Sequence, residues 1–160
     1  MQSRGPGRLY VFDTSAFIAG WIEQYPPENF LGFWKKMHDL ADARRLIVPE
    51  DVHLELKKGE EGCFNWLKER PHVVHQLTEE VQKSSAGVLA RYQKLTALGG
   101  KRGKADPFVV GLALVQQGTV VTKEKHGPSE KNPKIPDACD GFNVPCFSLV
   151  QVIKEERWVF

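Results

Sequence analysis

Cysteine is scarce in this chain of 160 residues: Cys63, Cys139 and Cys146 are the only three. Their number is odd and no two form a C-x-x-C pair, so neither a disulfide framework nor a zinc site is suggested. Thiols left unpaired fit a reducing compartment, and a cytoplasmic location is expected. Long apolar runs are missing as well. No stretch approaches the roughly 18 residues of a membrane span. Met1 to Arg8 have no apolar segment of the signal-peptide kind. They read as a short flexible arm ahead of a single domain over residues 9–160. Charge of one sign does not dominate: the net charge is only +2, which does not by itself point to nucleic acid. A glycine-rich phosphate loop is absent. Gly99-Gly100-Lys101-Arg102-Gly103-Lys104 lacks the spacing of G-x-x-x-x-G-K followed by Ser or Thr. It reads as a solvated basic turn or as a phosphate contact near a site. No repeat or low-complexity segment is visible.

What is present is a regular alternation. Leu9-Tyr10-Val11-Phe12 is a continuous apolar run, the pattern of a strand buried on both faces. Leu46-Ile47-Val48, Thr119-Val120-Val121-Thr122 and Cys146-Phe147-Ser148-Leu149 are further strand candidates. Between them lie helical patterns: Ala16–Glu23, a helix capped by Asn29 that carries Phe30, Phe33, Trp34 and Met37, and a helix from Glu50. Others span Cys63–Arg70, Thr78 to about Leu98, and the stretch opened by Asp106 as N-cap with Pro107 at the first helical position and closed by Gly118. Residues 123 to 136 read as a polar loop. Strands alternating with helices predict an α/β fold with a parallel sheet. Leu9–Phe12 should be central, with Thr119–Thr122 beside it.

The acids fall at telling places. Asp13 follows the first strand, where open α/β sheets meet their ligands. It can equally be the N-cap of the next helix. Glu55 lies on the packed side of its helix, unusual for a carboxylate that is neither paired nor bound; the alternative is a boundary residue reaching to solvent. Asp106 starts a helix and Glu124 follows the third strand. Carboxylates gathered at one sheet edge repel each other unless a cation neutralises them. All-oxygen ligands without His or Cys suit Mg²⁺ or Mn²⁺, and such a site suits phosphoryl chemistry.

Four segments carry a family resemblance: Val11-Phe12-Asp13-Thr14-Ser15, Val48 to Leu56, Ala105 to Ala113, and Val120-Val121-Thr122-Lys123-Glu124. In that order they resemble the PIN-domain family, in the bacterial and archaeal group related to toxin nucleases. Tyr25-Pro26-Pro27-Glu28-Asn29-Phe30, Phe33-Trp34 and Lys134-Ile135-Pro136-Asp137-Ala138-Cys139 are similar to a poorly characterised PIN-like subgroup. The resemblance covers about residues 9 to 160. It implies a three-layer α/β/α fold with a PIN-like parallel sheet. It also implies a Mg²⁺- or Mn²⁺-dependent endoribonuclease, the toxin of a type II toxin–antitoxin module. Its metal and catalytic acids would be Asp13, Glu55, Asp106 and a fourth. Glu124 takes the fourth position with a glutamate where the family usually has aspartate, and Asp137 competes for it. Thr14, Ser15 and Thr122 match positions that hydrogen-bond the acids. Lys101, Arg102, Lys104, Lys123 and Lys125 are candidates for the RNA backbone, since nucleic-acid affinity is mainly ionic, or for loop solubility.

Two other readings compete. One is a non-catalytic PIN-like module that binds RNA or protein; an intact acid set argues against it. The other is a doubly wound small-molecule binder, weakened by the missing phosphate loop and by a single acid after the first strand. Partners expected from the first reading are an RNA substrate and an antitoxin, with no membrane. Phe30, Phe33, Trp34, Trp158 and Phe160 exceed what one core readily hides, which predicts a homodimer.

Overall fold

The computed structural model describes residues 7–95, 105–129 and 131–160. At its centre is a five-stranded sheet in which every pairing is parallel. The strands are β1 (Tyr10–Phe12), β2 (Leu46–Pro49), β3 (Val74–His75), β4 (Thr119–Val121) and β5 (Cys146–Phe147), in the spatial order β3-β2-β1-β4-β5. β1 is therefore central and β4 lies beside it, as the two apolar runs predict. Tyr10 pairs with Leu46 on one side and Thr119 on the other. Successive strand residues face opposite sides of a sheet, yet Tyr10, Val11 and Phe12 are all fully buried. Helices thus cover both faces, and the architecture is three-layered, α/β/α.

The helices are α1 (Thr14–Ile18), α2 (Leu31–Asp42), α3 (Glu50–Lys57), α4 (Glu61–Lys68), α5 (Glu79–Arg91), α6 (Asp106–Gln116), α7 (Ile135–Gly141) and α8 (Leu149–Glu156). Several boundaries differ from those the sequence predicts, each for a local reason. α1 starts two residues early because Asp13 caps it, and it widens into a π-helical turn over Ala19–Gln24. That turn ends at Tyr25, which precedes Pro26 and is pushed out of the helical region. Asn29 is not the cap of α2; its amide and that of Phe30 both donate to the Pro26 carbonyl, and Phe30 takes the cap position. Ala105, not Asp106, is the cap residue of α6, so Pro107 is the second helical residue. At the far end of α6 the left-handed residue is Gln117 (φ 55°). Gly118 serves close approach instead, since a Cβ there would stand 3.0 Å from Val11 Cγ2. α7 replaces the end of the expected polar loop; Pro136 lies in its first turn rather than closing that loop. Ser148 ends β5 and caps α8, its hydroxyl accepting from the Gln151 amide. The helix predicted to run to about Leu98 ends at Arg91: Tyr92 leaves the helical region and a separate 3-10 turn covers Gln93–Leu95, beyond which residues 96–104 lie outside the described residues.

The core is built on α6, which packs on β1, β2, β4 and, most extensively, on α5. A second cluster is aromatic: Tyr25 stacks on Phe33, and Trp158 and Phe160 both reach Phe33. Of the five aromatics expected to exceed the core, Phe33 and Trp34 are inside it, while Phe30 and Phe160 stay 39% and 61% exposed. Below the sheet, the Tyr10 hydroxyl donates to Glu156 at 2.6 Å and Arg45 pairs with the same carboxylate at 2.7 Å. Of the N-terminal arm, residues 1–6 lie outside the described residues; Arg8 donates to Thr119 Oγ1 at 2.9 Å. Among the described residues no helix is long and apolar enough to cross a membrane.

The α5–α6 contact generates a stability prediction. A Cβ at Gly111 would come within 2.9 Å of the Ser85 Cα and backbone nitrogen, so the helices would have to part. Gly111→Ala should destabilise the fold by about 1–3 kcal/mol, the usual cost of overpacking. Urea denaturation followed by circular dichroism measures it, and an unchanged midpoint would contradict the close approach.

Candidate metal centre

The strand order reverses between β1 and β4: the chain runs outward to β2 and β3, then returns to the other side of β1. Open α/β sheets form their ligand crevice at such a switch point, outside the carboxyl ends of the strands. Asp13 is the first residue past β1 and Thr122 the first past β4.

Asp13 is 2% exposed and doubly employed. Its Oδ1 accepts the Ala16 amide at 2.7 Å, which caps α1. Its Oδ2 accepts a short hydrogen bond from the Thr122 hydroxyl, and the Ser15 hydroxyl donates to the same carboxylate at 2.9 Å. Ser15 and Thr122 are themselves fixed: Ser15 Oγ accepts the Lys123 amide and Thr122 Oγ1 accepts the Glu124 amide, both at 3.0 Å. The turn after β4 is thereby wired to the acid after β1. The capping and site readings of Asp13 are compatible, since one oxygen faces the helix and the other faces Thr122.

Glu55 points inward from α3. Its two oxygens accept the Thr14 hydroxyl at 2.6 Å and the Ala105 amide at 2.9 Å. The second bond explains the one-residue shift of α6, because the Ala105 amide is spent on Glu55. Asp106 is 9% exposed. Burial is the main force pushing its pKa up to about 9, and Glu124, Asp13 and Glu55 add repulsion while Lys134 opposes it. Burial likewise pushes Asp13 up to about 7 against the hydrogen bonds of Thr122, Ala16 and Ser15. Glu55 is raised too, by burial first. Asp106 is thus the point at which the three other acids are felt together.

The two candidates for the fourth position separate. Glu124 repels both Asp13 and Asp106, and its Oε2 accepts the Ile135 amide at 3.1 Å. Asp137 Oδ2 is committed to the Gly127 and Lys134 amides at 2.8 and 2.7 Å. It lines a different groove, with Arg91, Tyr92 and Gly141. Among the described residues no three Asp, Glu, His or Cys side chains stand close enough, as they lie, to hold a metal ion. Asp13, Glu55 and Glu124 are instead each turned toward their own donors. The donor set has the chemistry of a hard divalent-cation site: it is all oxygen and electrostatically unbalanced, with Asp13 and Asp106 buried and Glu55 and Glu124 half-buried.

Of the basic candidates, Lys101, Arg102 and Lys104 lie outside the described residues. Lys123 forms an ion pair with Glu23 of the π-helical turn, and Lys125 lines a groove of about 690 Å³ beside Thr122 and Glu124. Sequence patterns alone miss Glu23, Lys134 and the Ala105 amide. Lys134 stands within one of the family-like segments, but nothing in the spacing ties it to Asp106, 28 positions earlier.

Raised carboxylate pKa values imply a pH signature. The folded protein holds protons on Asp13 and Asp106 that the unfolded chain has already lost, so these groups lower stability as pH rises from about 4 to about 9. With EDTA present, Asp106→Asn should exceed wild type in stability by more than about 1 kcal/mol at pH 9, since each tenfold gain in a carboxylate's proton affinity on folding is worth about 1.4 kcal/mol. The advantage should vanish near pH 4. Thermal melts across that range decide it, and parallel curves would show that Asp106 carries no such strain.

Among solved structures that match this chain is the crystal structure of VapBC2 from Rickettsia felis bound to a DNA fragment from their promoter. The match has 12% identity and a TM-score of 0.47, and covers 88% of this chain and 98% of that one. No curated protein matches the sequence. One family model, described as a domain of unknown function (DUF4411), matches residues 10–160, and the chain belongs to that family.

Proposed function

We propose that this protein is a divalent-cation-dependent endoribonuclease of PIN-domain type, the toxin of a type II toxin–antitoxin module. The observation that carries the reading is the buried Asp106 carboxylate, repelled at once by Glu124, Asp13 and Glu55. Such an arrangement costs stability on its own and is offset by a cation. Asp13, Glu55, Asp106 and Glu124 are the residues that would hold Mg²⁺ or Mn²⁺. A cation of this kind supplies a Lewis acid that neutralises charge on a phosphodiester and makes water a competent nucleophile near neutral pH.

The chain's own residues do the rest. Ser15 and Thr122 hold Asp13 in one orientation, and Thr14 with the Ala105 amide does the same for Glu55. Lys125, and Lys123 when it leaves Glu23, would meet phosphate beside the acids, with Lys101, Arg102 and Lys104 as further candidates. An antitoxin partner, a homodimer and a cytoplasmic setting are parts of this proposal. Phe30, Leu31, Val159 and Phe160 supply exposed apolar surface for contact with another chain.

The test compares wild type with Asp13→Asn on single-stranded RNA, with Mg²⁺ or Mn²⁺ and with EDTA. Wild type should cleave only with the cation. Asp13→Asn should lose more than the roughly 10- to 100-fold that removal of a supporting hydrogen bond costs a metal site; Ser15→Ala should fall within that range. The cation should also raise the melting temperature of wild type, because a ligand of the folded state stabilises it, and Asp13→Asn should lose most of that increment. Equal cleavage by wild type and Asp13→Asn would place the activity elsewhere. Absence of cleavage together with RNA binding would favour the non-catalytic PIN-like module.

A further inference from the structure

One ion pair lies beside the acid cluster, and both of its residues are carried by elements tied to Asp13. Glu23 belongs to the π-helical turn that continues α1, the helix Asp13 caps. Turns of this kind recur at functional sites. Lys123 is the second residue past β4. Its amide donates to Ser15 Oγ at 3.0 Å, and the same hydroxyl donates to Asp13 at 2.9 Å. The Glu23 and Lys123 side chains meet although 100 positions separate them in the chain. The backbone beneath Glu23 is anchored by Trp21, whose ring stands edge-on to Trp34 at 4.8 Å and against Gly62 of α4. Lys123 also lines the groove of about 690 Å³ together with Thr122, Glu124 and Lys125. Both partners stay open to water, at 48% and 42% exposure. A pair that exposed contributes little to the fold, so its lysine is available to another anion.

We propose that Glu23 takes, on Lys123, the place of an RNA backbone phosphate, so that the pair is an autoinhibitory contact of the RNA groove. The inference rests on the nuclease reading above and adds a residue that sets its substrate affinity. A carboxylate and a phosphodiester each present one negative charge on oxygen. The lysine ammonium is a compact point charge on a flexible stem, and it exchanges one for the other without a fixed fork geometry. Because the Lys123 amide is bound to Ser15, the phosphate it meets lies beside Asp13. The exchange leaves the Glu23 carboxylate bare next to the RNA backbone, where the two repel. Glu23 touches no phosphate itself and acts through Lys123. One consequence is specific. An ammonium already neutralised by Glu23 brings about no net release of counterions when it moves to a phosphate. Lys123 is therefore silent in the salt dependence of binding until Glu23 loses its charge.

The test measures binding of a single-stranded oligoribonucleotide to the full chain between about 50 and 200 mM salt. EDTA is present, so that cleavage plays no part. Four proteins are compared, each with its fold checked by circular dichroism: wild type, Glu23→Gln, Lys123→Gln and the double variant. Each phosphate neutralised on a single strand steepens the fall of log affinity with log salt by about 0.7. Glu23→Gln should steepen the slope by about that amount and tighten binding about 2- to 5-fold at the low-salt end, the weight of an exposed ion pair. The double variant should show the slope of Lys123→Gln alone. An unchanged slope in Glu23→Gln would overturn the proposal. So would equal steepening with and without Lys123, which would make Glu23 a bare repulsive charge. Either result in a protein that cleaves RNA with Mg²⁺ leaves the nuclease reading standing, whereas failure of all four proteins to bind RNA removes both.

Discussion

A carboxylate shut away from water at the tip of the central strand is the constraint on which this structure turns. Asp13 is placed at a switch point because β1 lies in the middle of the sheet and the chain returns to its other side at β4. Burial alone disfavours its charged form. The molecule answers with directed donors: the Ala16 amide, the Ser15 hydroxyl and the Thr122 hydroxyl. Those donors are in turn pinned by the backbone after β4. Local geometry of two separate crossovers is thus fixed by the hydrogen-bonding demands of one side chain.

The two ends of β1 show opposite solutions to the same problem. At the amino end, Glu156 is also partly buried, and burial raises its pKa. Hydrogen bonds from Arg45 and Tyr10 and the charge of Arg45 outweigh that effect, and the carboxyl ends below the ordinary range. Its charge is balanced, so it works as a clasp that holds α8 under the sheet. At the carboxyl end Asp106 meets three other acids and, as its main relief, only Lys134. One carboxylate is thus balanced within the chain, and the other cluster is not. Perturbed groups in a sheet crevice mark functional sites for that reason.

The layers around the sheet serve this placement. Strands of two to four residues cannot hold a sheet by hydrogen bonds alone, and here every residue of β1, β2 and β4 is buried. α6 supplies much of that burial and also delivers Asp106 at its first turn. It is packed closely against α5 through Gly111 and Ser85. The aromatic cluster of Tyr25, Phe33, Trp158 and Phe160 ties the chain's last residues to α2.

Much of this was legible in the sequence. Continuous apolar runs at Leu9–Phe12 and Thr119–Thr122 specify buried parallel strands, because only a strand covered on both faces tolerates no polar alternation. The positions of Asp13, Glu55, Asp106 and Glu124 relative to those runs were visible too. Contacts between segments were not. That the Ala105 amide meets Glu55, 50 residues away, and that Glu124 repels Asp13 and Asp106 while Asp137 is held by the Gly127 and Lys134 amides, could not be read from the order of residues. Nor did the sequence reveal that Lys123 meets Glu23. Periodicity and flanking residues are local, so the sequence by itself determined which elements form and which ends carry acids. Which donors each acid receives depends on distances between elements, and only tertiary packing sets those.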